Sequence, residues 1–145
     1  MIKYIIITIF FAFVIQVNAQ EYNVYNETLS RFTTLLDTGY NWQADKIFLE
    51  EVKGITNKFP AYSGRYMIVV LNNMERDSIL SKGQNIYMYR FLPMTLKNGE
   101  FIIEISGFSC KEHGVTITNA GYRYSYKYNC QDNKIIFNKY QGGGI

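Results

Sequence analysis

The sequence predicts an α+β fold, in which one or two N-terminal helices pack on one face of an antiparallel sheet of about five to six strands. Apolar residues recur at helical spacing early in the chain and at every second position later, and turn-forming stretches separate the later segments. The alternation is clearest at 122–130, where tyrosines and a cysteine occupy one face and polar residues the other. A small, partly open β-barrel with a helix plug is the alternative architecture.

The first residues have the composition of a cleaved signal peptide. Lys3 provides a positive charge, the run 4–17 is apolar, and Val17-Asn-Ala19 places small residues where a cleavage site requires them. The apolar run is too short to span a hydrocarbon layer of about 30 Å, and no stop-transfer charges follow it. We therefore expect residues 1–19 to be removed. Residues 20–145 should form a single domain without a transmembrane segment, exported to the periplasm or secreted.

The charge of the chain argues against a nucleic-acid partner. The formal net charge is +3, and the 15 basic residues are dispersed, with no run of Lys or Arg. A nucleic-acid-binding domain carries its cations in a patch or stripe along one surface. We therefore expect no nucleic acid among the partners.

Two segments before residue 60 have helical spacing. The first follows Asn26, a predicted N-cap, and ends at Gly39, a predicted C′ glycine, which places a helix at about 27–38. The second segment, 44–55, also carries an apolar stripe. Its residues Ile47 and Leu49 fit an alternating strand as well, so helix and strand both stay open there.

The middle of the chain changes to strand patterns. The continuous apolar run 66–71 is typical of a central strand, 72–83 is a loop or one short helix, and 86–91 returns to strand. Asn98-Gly99 is the signal of a tight hairpin. It leads into a strand in which Phe101, Ile103 and Ile105 share one side, with a predicted bulge at Gly107.

The remainder of the chain predicts three more strands. A short strand at 115–118 should turn at 119–121 into the tyrosine strand at 122–130. A turn at 131–133 then leads into a strand at 134–140. The glycine-rich residues 141–145 are predicted to be a flexible tail.

The chain contains two cysteines, Cys110 and Cys130. In an exported protein an even number of cysteines indicates a disulfide, which here would tie the Phe101 strand to the tyrosine strand. The alternative is a metal site, because Cys110 and the chain's single histidine, His113, have ligand-like spacing. That site would still need a fourth ligand besides Cys130. We therefore expect the disulfide, and no bound metal or other cofactor.

No motif for catalysis occurs in the sequence. Carboxylate pairs such as Glu100 and Glu104 would share a strand face, but such carboxylates commonly belong to a solvated surface. No catalytic residue is therefore assigned. The twelve tyrosines after residue 19 are expected mainly in the core, with a tyrosine binding surface as the alternative.

The polar side of the tyrosine strand is the candidate binding face. Arg123, Ser125, Lys127 and Asn129 would form a row about 20 Å long. Donors with a positive bias suit an acidic or hydroxyl-rich partner, such as a glycan or an acidic protein patch. The sequence thus predicts a non-enzymatic binding domain for a protein, a glycan or a small ligand. A merely solvated face, and a small hydrolase-like enzyme with unidentified catalytic residues, are the alternatives.

Overall fold

The structure is a computed structural model that describes residues 24–39, 43–111 and 114–143. The signal-peptide prediction falls outside these residues. Within them, helix α1 spans 24–39, helix α2 spans Asn73–Leu80, and a short 3₁₀ turn spans Thr56–Lys58. The strands of the sheet are β1 Lys46–Glu50, β2 Tyr62–Ser63, β3 Tyr66–Leu71, β4 Ile86–Phe91, β5 Thr95–Lys97, β6 Glu100–Lys111, β7 Gly114–Asn129 and β8 Lys134–Gly143.

The strands form one mixed sheet. Its order is β2-β3-β1-β4-β6-β7-β8, and β5 pairs with β6 outside this order. Strand β1 is parallel to both β3 and β4, and the other pairs are antiparallel. The α+β class is confirmed, but the 8-stranded sheet exceeds the predicted count, is not wholly antiparallel and does not close into a barrel.

Helix α1 covers one face of the sheet. The predicted helix is confirmed, although it begins before Asn26, which therefore lies inside the helix and not at its N-cap. Its inward stripe repeats at helical spacing and is almost completely buried: Val24, Tyr25, Leu29, Phe32 and Leu36. This stripe packs against inward side chains of β1, β3, β4, β6 and β7 to form the larger core.

Helix α2 lies on the opposite face of the sheet, within the segment 72–83 that was predicted to be a loop or one short helix. It joins β3 to β4 across β1, because parallel strands need such a crossover connection. Asn72 caps it: the side-chain oxygen accepts a hydrogen bond from the Glu75 N–H at 3.0 Å, and the Glu75 carboxylate accepts one from the Asn72 N–H at 2.9 Å. Ile79 and Leu80 pack on a second, smaller core that includes Met88 and Phe108.

The segment 44–55 contains strand β1, so the second helix is a wrong prediction and the strand alternative is correct. Ile47 and Leu49 are buried under α1, while Phe48 on the opposite face packs against the core beneath α2. A strand with both faces covered has no polar side. Its apolar pattern therefore resembles that of a buried helix.

Long strands replace the turn predicted at 119–121. Strand β7 runs without interruption through these residues, with Gly121 paired to Ser106 on one side and to Gly143 on the other. The β6–β7 register shifts between Ser106 and Phe108, where a bulge at Gly107 was predicted, but the additional residues, 118–120, lie on β7. Strand β8 includes residues 141–143, so these do not belong to a flexible tail, whereas 144–145 lie outside the described residues.

The predicted disulfide is not formed, and both cysteines are free. Cys110 is paired in register with Val115 at one end of the β6–β7 hairpin, whereas Cys130 follows Asn129 at the other end. About 15 residues of strand separate Val115 from Cys130, roughly 50 Å. A disulfide requires Cα atoms within about 7 Å of one another. His113 lies outside the described residues, among which no group of three potential metal ligands comes together.

Candidate functional site

The tyrosine face of β7 belongs to the core. Tyr122, Tyr124 and Tyr126 are buried under α1, and the Tyr126 hydroxyl lies 2.6 Å from the Thr28 Oγ1 atom. Burial raises the pKa of Tyr126 to about 12, because the tyrosinate anion would lose its hydration there. This face is therefore packed against the helix, as preferred from the sequence.

The predicted binding row is interrupted at two of its four positions. Ser125 is only 2% exposed, which corrects its assignment to a wet face. Asn129 closes the β7–β8 turn: its Nδ2 donates to the Asp132 carboxylate at 2.8 Å, and its Oδ1 accepts from the Gln131 N–H at 2.9 Å. Arg123 and Lys127 are exposed as predicted.

Both exposed cations of the row contact carboxylates of β6. The Arg123 Nε atom donates to the Glu104 Oε1 atom at 2.7 Å, and the Lys127 Nζ atom lies 3.6 Å from the Glu100 Oε1 atom. Glu100 and Glu104, considered from the sequence as an acid–base pair, are therefore engaged in ion pairs. Glu50 and Arg90 form a further ion pair between β1 and β4.

A bulge in β8 brings two more donors to Glu100. The β7–β8 register shifts between Ser125 and Tyr126, so that Asn138 is the additional residue on β8. The Asn138 Nδ2 atom donates to the Glu100 Oε1 atom at 2.8 Å, and the Lys139 Nζ atom lies 3.7 Å from the Glu100 Oε2 atom. The polar face is thus a network in which carboxylates of the same sheet already contact its cations.

An open groove lies on the other face, between the flank of α1 and strand β8. It has a volume of about 520 Å³ and is lined by Glu27, Ser30, Arg31, Thr34, Leu35, Thr38, Tyr124, Phe137 and Tyr140. The groove exists because α1 buries its apolar stripe mainly on β1 to β7. The inward residues of β8, Ile135, Phe137 and Tyr140, remain only partly buried.

Aromatic rings form the floor of the groove. The rings of Tyr124 and Tyr140 lie 5.2 Å apart, and Phe137 packs edge-on against Tyr126 with ring centres 5.7 Å apart. The Arg31 guanidinium lies 3.8 Å from the centre of the Phe137 ring, a cation–π contact. This floor presents flat apolar surface with a cation at one end.

The helix flank forms a polar wall above this floor. Ser30, Thr34 and Thr38 face the groove at successive turns. The Thr34 and Thr38 hydroxyls donate to the Ser30 and Thr34 carbonyl oxygens at 2.9 and 2.8 Å, so their oxygen lone pairs can still accept hydrogen bonds from a ligand. At one end, the Arg31 Nη2 atom donates to the Glu27 Oε1 atom at 2.8 Å.

Glycine at position 142 sets the position of Tyr140 in the groove. A Cβ atom on Gly142 would lie 1.5 Å from the Tyr140 Oη atom, so only glycine lets this ring fold along the strand. Sequence reasoning assigned Gly142 to a flexible tail and missed this contact. The available signal was the break in alternation between Phe137 and Tyr140, which marks the bulge.

A second cavity of about 470 Å³ lies at the ends of β1 and β4. It is bordered by Ala44, Phe48, Ile79, Tyr87 and other residues of these elements and of α2. Ala44 is close in sequence to residues 40–42, which lie outside the described ranges. The α1–β8 groove is the larger of these two cavities.

Comparison of the chain with family models, with curated proteins and with solved structures finds no match. Across the part of the chain that the structure describes, neither helix has the length and apolar character needed to cross a membrane.

Proposed function

We propose that this chain is a non-enzymatic binding domain, exported to the periplasm or the extracellular space, whose ligand lies in the groove between α1 and β8. One observation carries the proposal: the groove combines an aromatic floor, a wall of hydroxyl groups and an ion pair at one end. Binding sites are typically concave and largely apolar, with a few polar groups that orient the ligand. Export is supported by the signal-like composition of residues 1–19.

The groove is better suited to a ligand than the polar row on β7. A partner at Arg123 or Lys127 must compete with carboxylates that already contact both cations. A ligand in the groove meets the partly exposed rings of Phe137 and Tyr140, and threonine hydroxyl oxygens that can still accept hydrogen bonds. Binding at the polar row stays a prediction with less support.

The hydrolase-like alternative also has less support. A general acid and a general base require two titratable groups that converge on a substrate. Among the described residues that line the groove, Glu27 is the one carboxylate, and Arg31 binds it from the next turn of α1. The groove therefore offers groups that orient a ligand more readily than groups that transfer a proton.

A blocked-groove variant tests this proposal. Thr34 is exposed and lines the groove, so Thr34→Trp should fill the site without disturbing the core. Ser78→Trp places the same side chain on an exposed position of α2 and is the matched control. Thermal unfolding is measured with peptides, oligosaccharides and small apolar compounds. A ligand at about 100 times its Kd should stabilise the wild type and Ser78→Trp by about 2.7 kcal/mol, and Thr34→Trp by much less.

Two outcomes would contradict the proposal. If the ligand stabilises Thr34→Trp as much as the wild type, its site lies outside the groove. If stabilisation persists in Thr34→Trp and is lost when Arg123 and Lys127 are both changed to Gln, the polar row is the binding face.

A further inference from the structure

We infer that the occupant of this groove is an extended peptide segment that adds to the outer edge of β8, with acidic side chains alternating with apolar ones. The inference rests on the proposed function, because it names the ligand class of the same groove. It is carried by three observations: the length of the β8 edge, its position beside α1, and the separation of charge between its two faces.

The two edges of the sheet differ greatly in length. Strand β2 at one edge has 2 residues, whereas β8 at the other has 10. Strand β8 pairs with β7 through one side only, and no described strand lies on its other side. Such an edge presents a row of backbone N–H and C=O groups over about 30 Å. These groups can form a ladder with an added strand.

The groove lies directly beside this edge. Phe137 and Tyr140 of β8 form part of its floor, and the flank of α1 forms its wall. A strand added at about 4.8 Å from β8 would direct every second side chain toward that flank. The peptide would then gain backbone hydrogen bonds from β8 and side-chain contacts from the groove, the two components of recognition by strand addition.

The two faces of β8 differ in charge. This difference determines which side chains an added peptide should carry on each of its faces. On the groove face, Ile135, Phe137 and Tyr140 favour apolar side chains on the added strand. On the opposite face, in register with the polar row of β7, stand Lys134 and Lys139. Because β8 contains no carboxylate, acidic side chains are the complementary neighbours on that face.

Lys139 is able to take part although it contacts Glu100. The Nζ–Oε2 distance is 3.7 Å and the lysine side chain is 52% exposed, so this ion pair is a weak one. A carboxylate on an added strand can approach the same ammonium group from the open side.

The bulge and the lysines also make β8 an unfavourable edge for pairing with some other strands. Bulges and lysines are devices by which natural proteins keep edge strands from pairing indiscriminately. Pairing two copies of β8 would add four lysines and no carboxylate along one junction. The edge therefore disfavours a second copy of itself and favours an acidic segment.

The test uses labelled peptides of about eight residues with the purified protein. One peptide alternates Glu with Val, and its counterpart alternates Lys with Val. Two further Glu–Val peptides carry N-methyl groups, either on every Val or on every Glu. In a strand, residues on one face direct their N–H groups to the same side. One N-methylated peptide should therefore lose binding and the other retain it.

Fluorescence anisotropy should show that the Glu–Val peptide binds at least about tenfold more tightly than the Lys–Val peptide. Thr34→Trp should abolish both interactions, whereas Ser78→Trp should change neither. Lys134→Glu combined with Lys139→Glu should reverse the preference between the two peptides. Thermal unfolding of this double variant checks that the fold is retained.

Several results would overturn the inference and are distinguishable from failure of the proposed function. If an oligosaccharide or small compound requires the open groove but no peptide binds, the groove site stands and strand addition is wrong. If both N-methylated peptides bind equally, the peptide does not pair with β8. If the protein instead forms a dimer that the peptide does not dissociate, the occupant is a second copy. If no ligand depends on Thr34, both proposals fail.

Discussion

The two halves of the sheet bury their strands in different ways. Strands β3, β1 and β4 are parallel neighbours with α1 on one face and α2 on the other. Strands β6, β7 and β8 are antiparallel, and α1 covers one face of β6 and β7 while ion pairs extend across the other. The sequence follows this division. Residues 66–71 are continuously apolar, whereas apolar and polar residues alternate in 122–129. Only a strand with one solvent-exposed face keeps polar residues at every second position.

Helix α1 joins the two halves and thereby leaves the groove open. Its residue Phe32 packs edge-on against Tyr89 of β4 and Tyr122 of β7, with ring centres 4.7 and 5.2 Å apart. Seven strands at about 4.8 Å spacing span roughly 29 Å, whereas a helix with its side chains is about 10 Å wide. A single helix that lies above the boundary between β4 and β6 cannot also cover β8. The difference teaches that the core lies on both faces of the doubly covered half but on only one face of β6 and β7, and that the available surface lies at the β8 edge.

The largest expected effect concerns the doubly covered half. Met88 lies on β4 beneath α2 and is completely buried. Met88→Ala should lower the free energy of unfolding by about 2–5 kcal/mol, because the lost burial is joined by the cavity that remains. Urea unfolding measures this value. A loss below about 1 kcal/mol would show that α2 does not seal this face of the sheet.

The next prediction concerns the face of β6 and β7 that α1 covers, and it tests whether water is excluded there as well. An unfolded tyrosine has a pKa near 10, whereas burial raises that of Tyr126 to about 12. Since the folded pKa is the higher one, the stability contribution is complete below pH 10. It is lost as the pH rises from 10 to 12, at about 1.4 kcal/mol per pH unit.

Tyr126→Phe is the matched control, because it keeps the ring and removes the titrating hydroxyl. The stability of the wild type should fall more steeply than that of Tyr126→Phe between pH 10 and 12. Parallel pH profiles of the two proteins would mean that the hydroxyl is hydrated in the folded state.

The elements that could be predicted from sequence are those whose pattern is local. Strands 66–71 and 86–91 have the predicted bounds, and Asn98-Gly99 forms the predicted hairpin turn with φ values of +53° and +75°. The β6–β7 register shifts at the predicted position 107, although the additional residues lie on β7. In each case the apolar alternation or the turn chemistry is complete within a few residues.

The failures have a common cause, because each depends on a distant neighbour. The segment 44–55 resembles a helix only because α1 and α2 cover both faces of β1. Residues 119–121 belong to strand β7 and not to a turn, because Gly121 pairs with Ser106 of β6 and with Gly143 of β8, which lie far from it in the sequence. The disulfide prediction failed because the spacing of Cys110 and Cys130 does not reveal that a long hairpin separates them.

The groove was beyond prediction for the same reason. Its wall is the polar flank of α1, which has the pattern of an ordinary solvated helix side, and its floor comes from β8, about 100 residues later in the chain. Glu27 and Arg31 at i,i+4 spacing are equally typical of a surface ion pair. No local motif records that these two surfaces meet.

The smallest expected effect concerns the open face of the singly covered half. Arg123 and Glu104 form an ion pair whose side chains are 50% and 40% exposed, so water and salt screen the attraction. Arg123→Ala should change the free energy of unfolding by no more than about 0.5 kcal/mol, against several kcal/mol for Met88→Ala on the same face of the sheet. Urea unfolding at low and high salt, with Glu104→Gln and the double variant, isolates the pair. A coupling energy above about 1 kcal/mol that persists at high salt would show that this face is covered in solution, and the contrast between the two halves would then disappear.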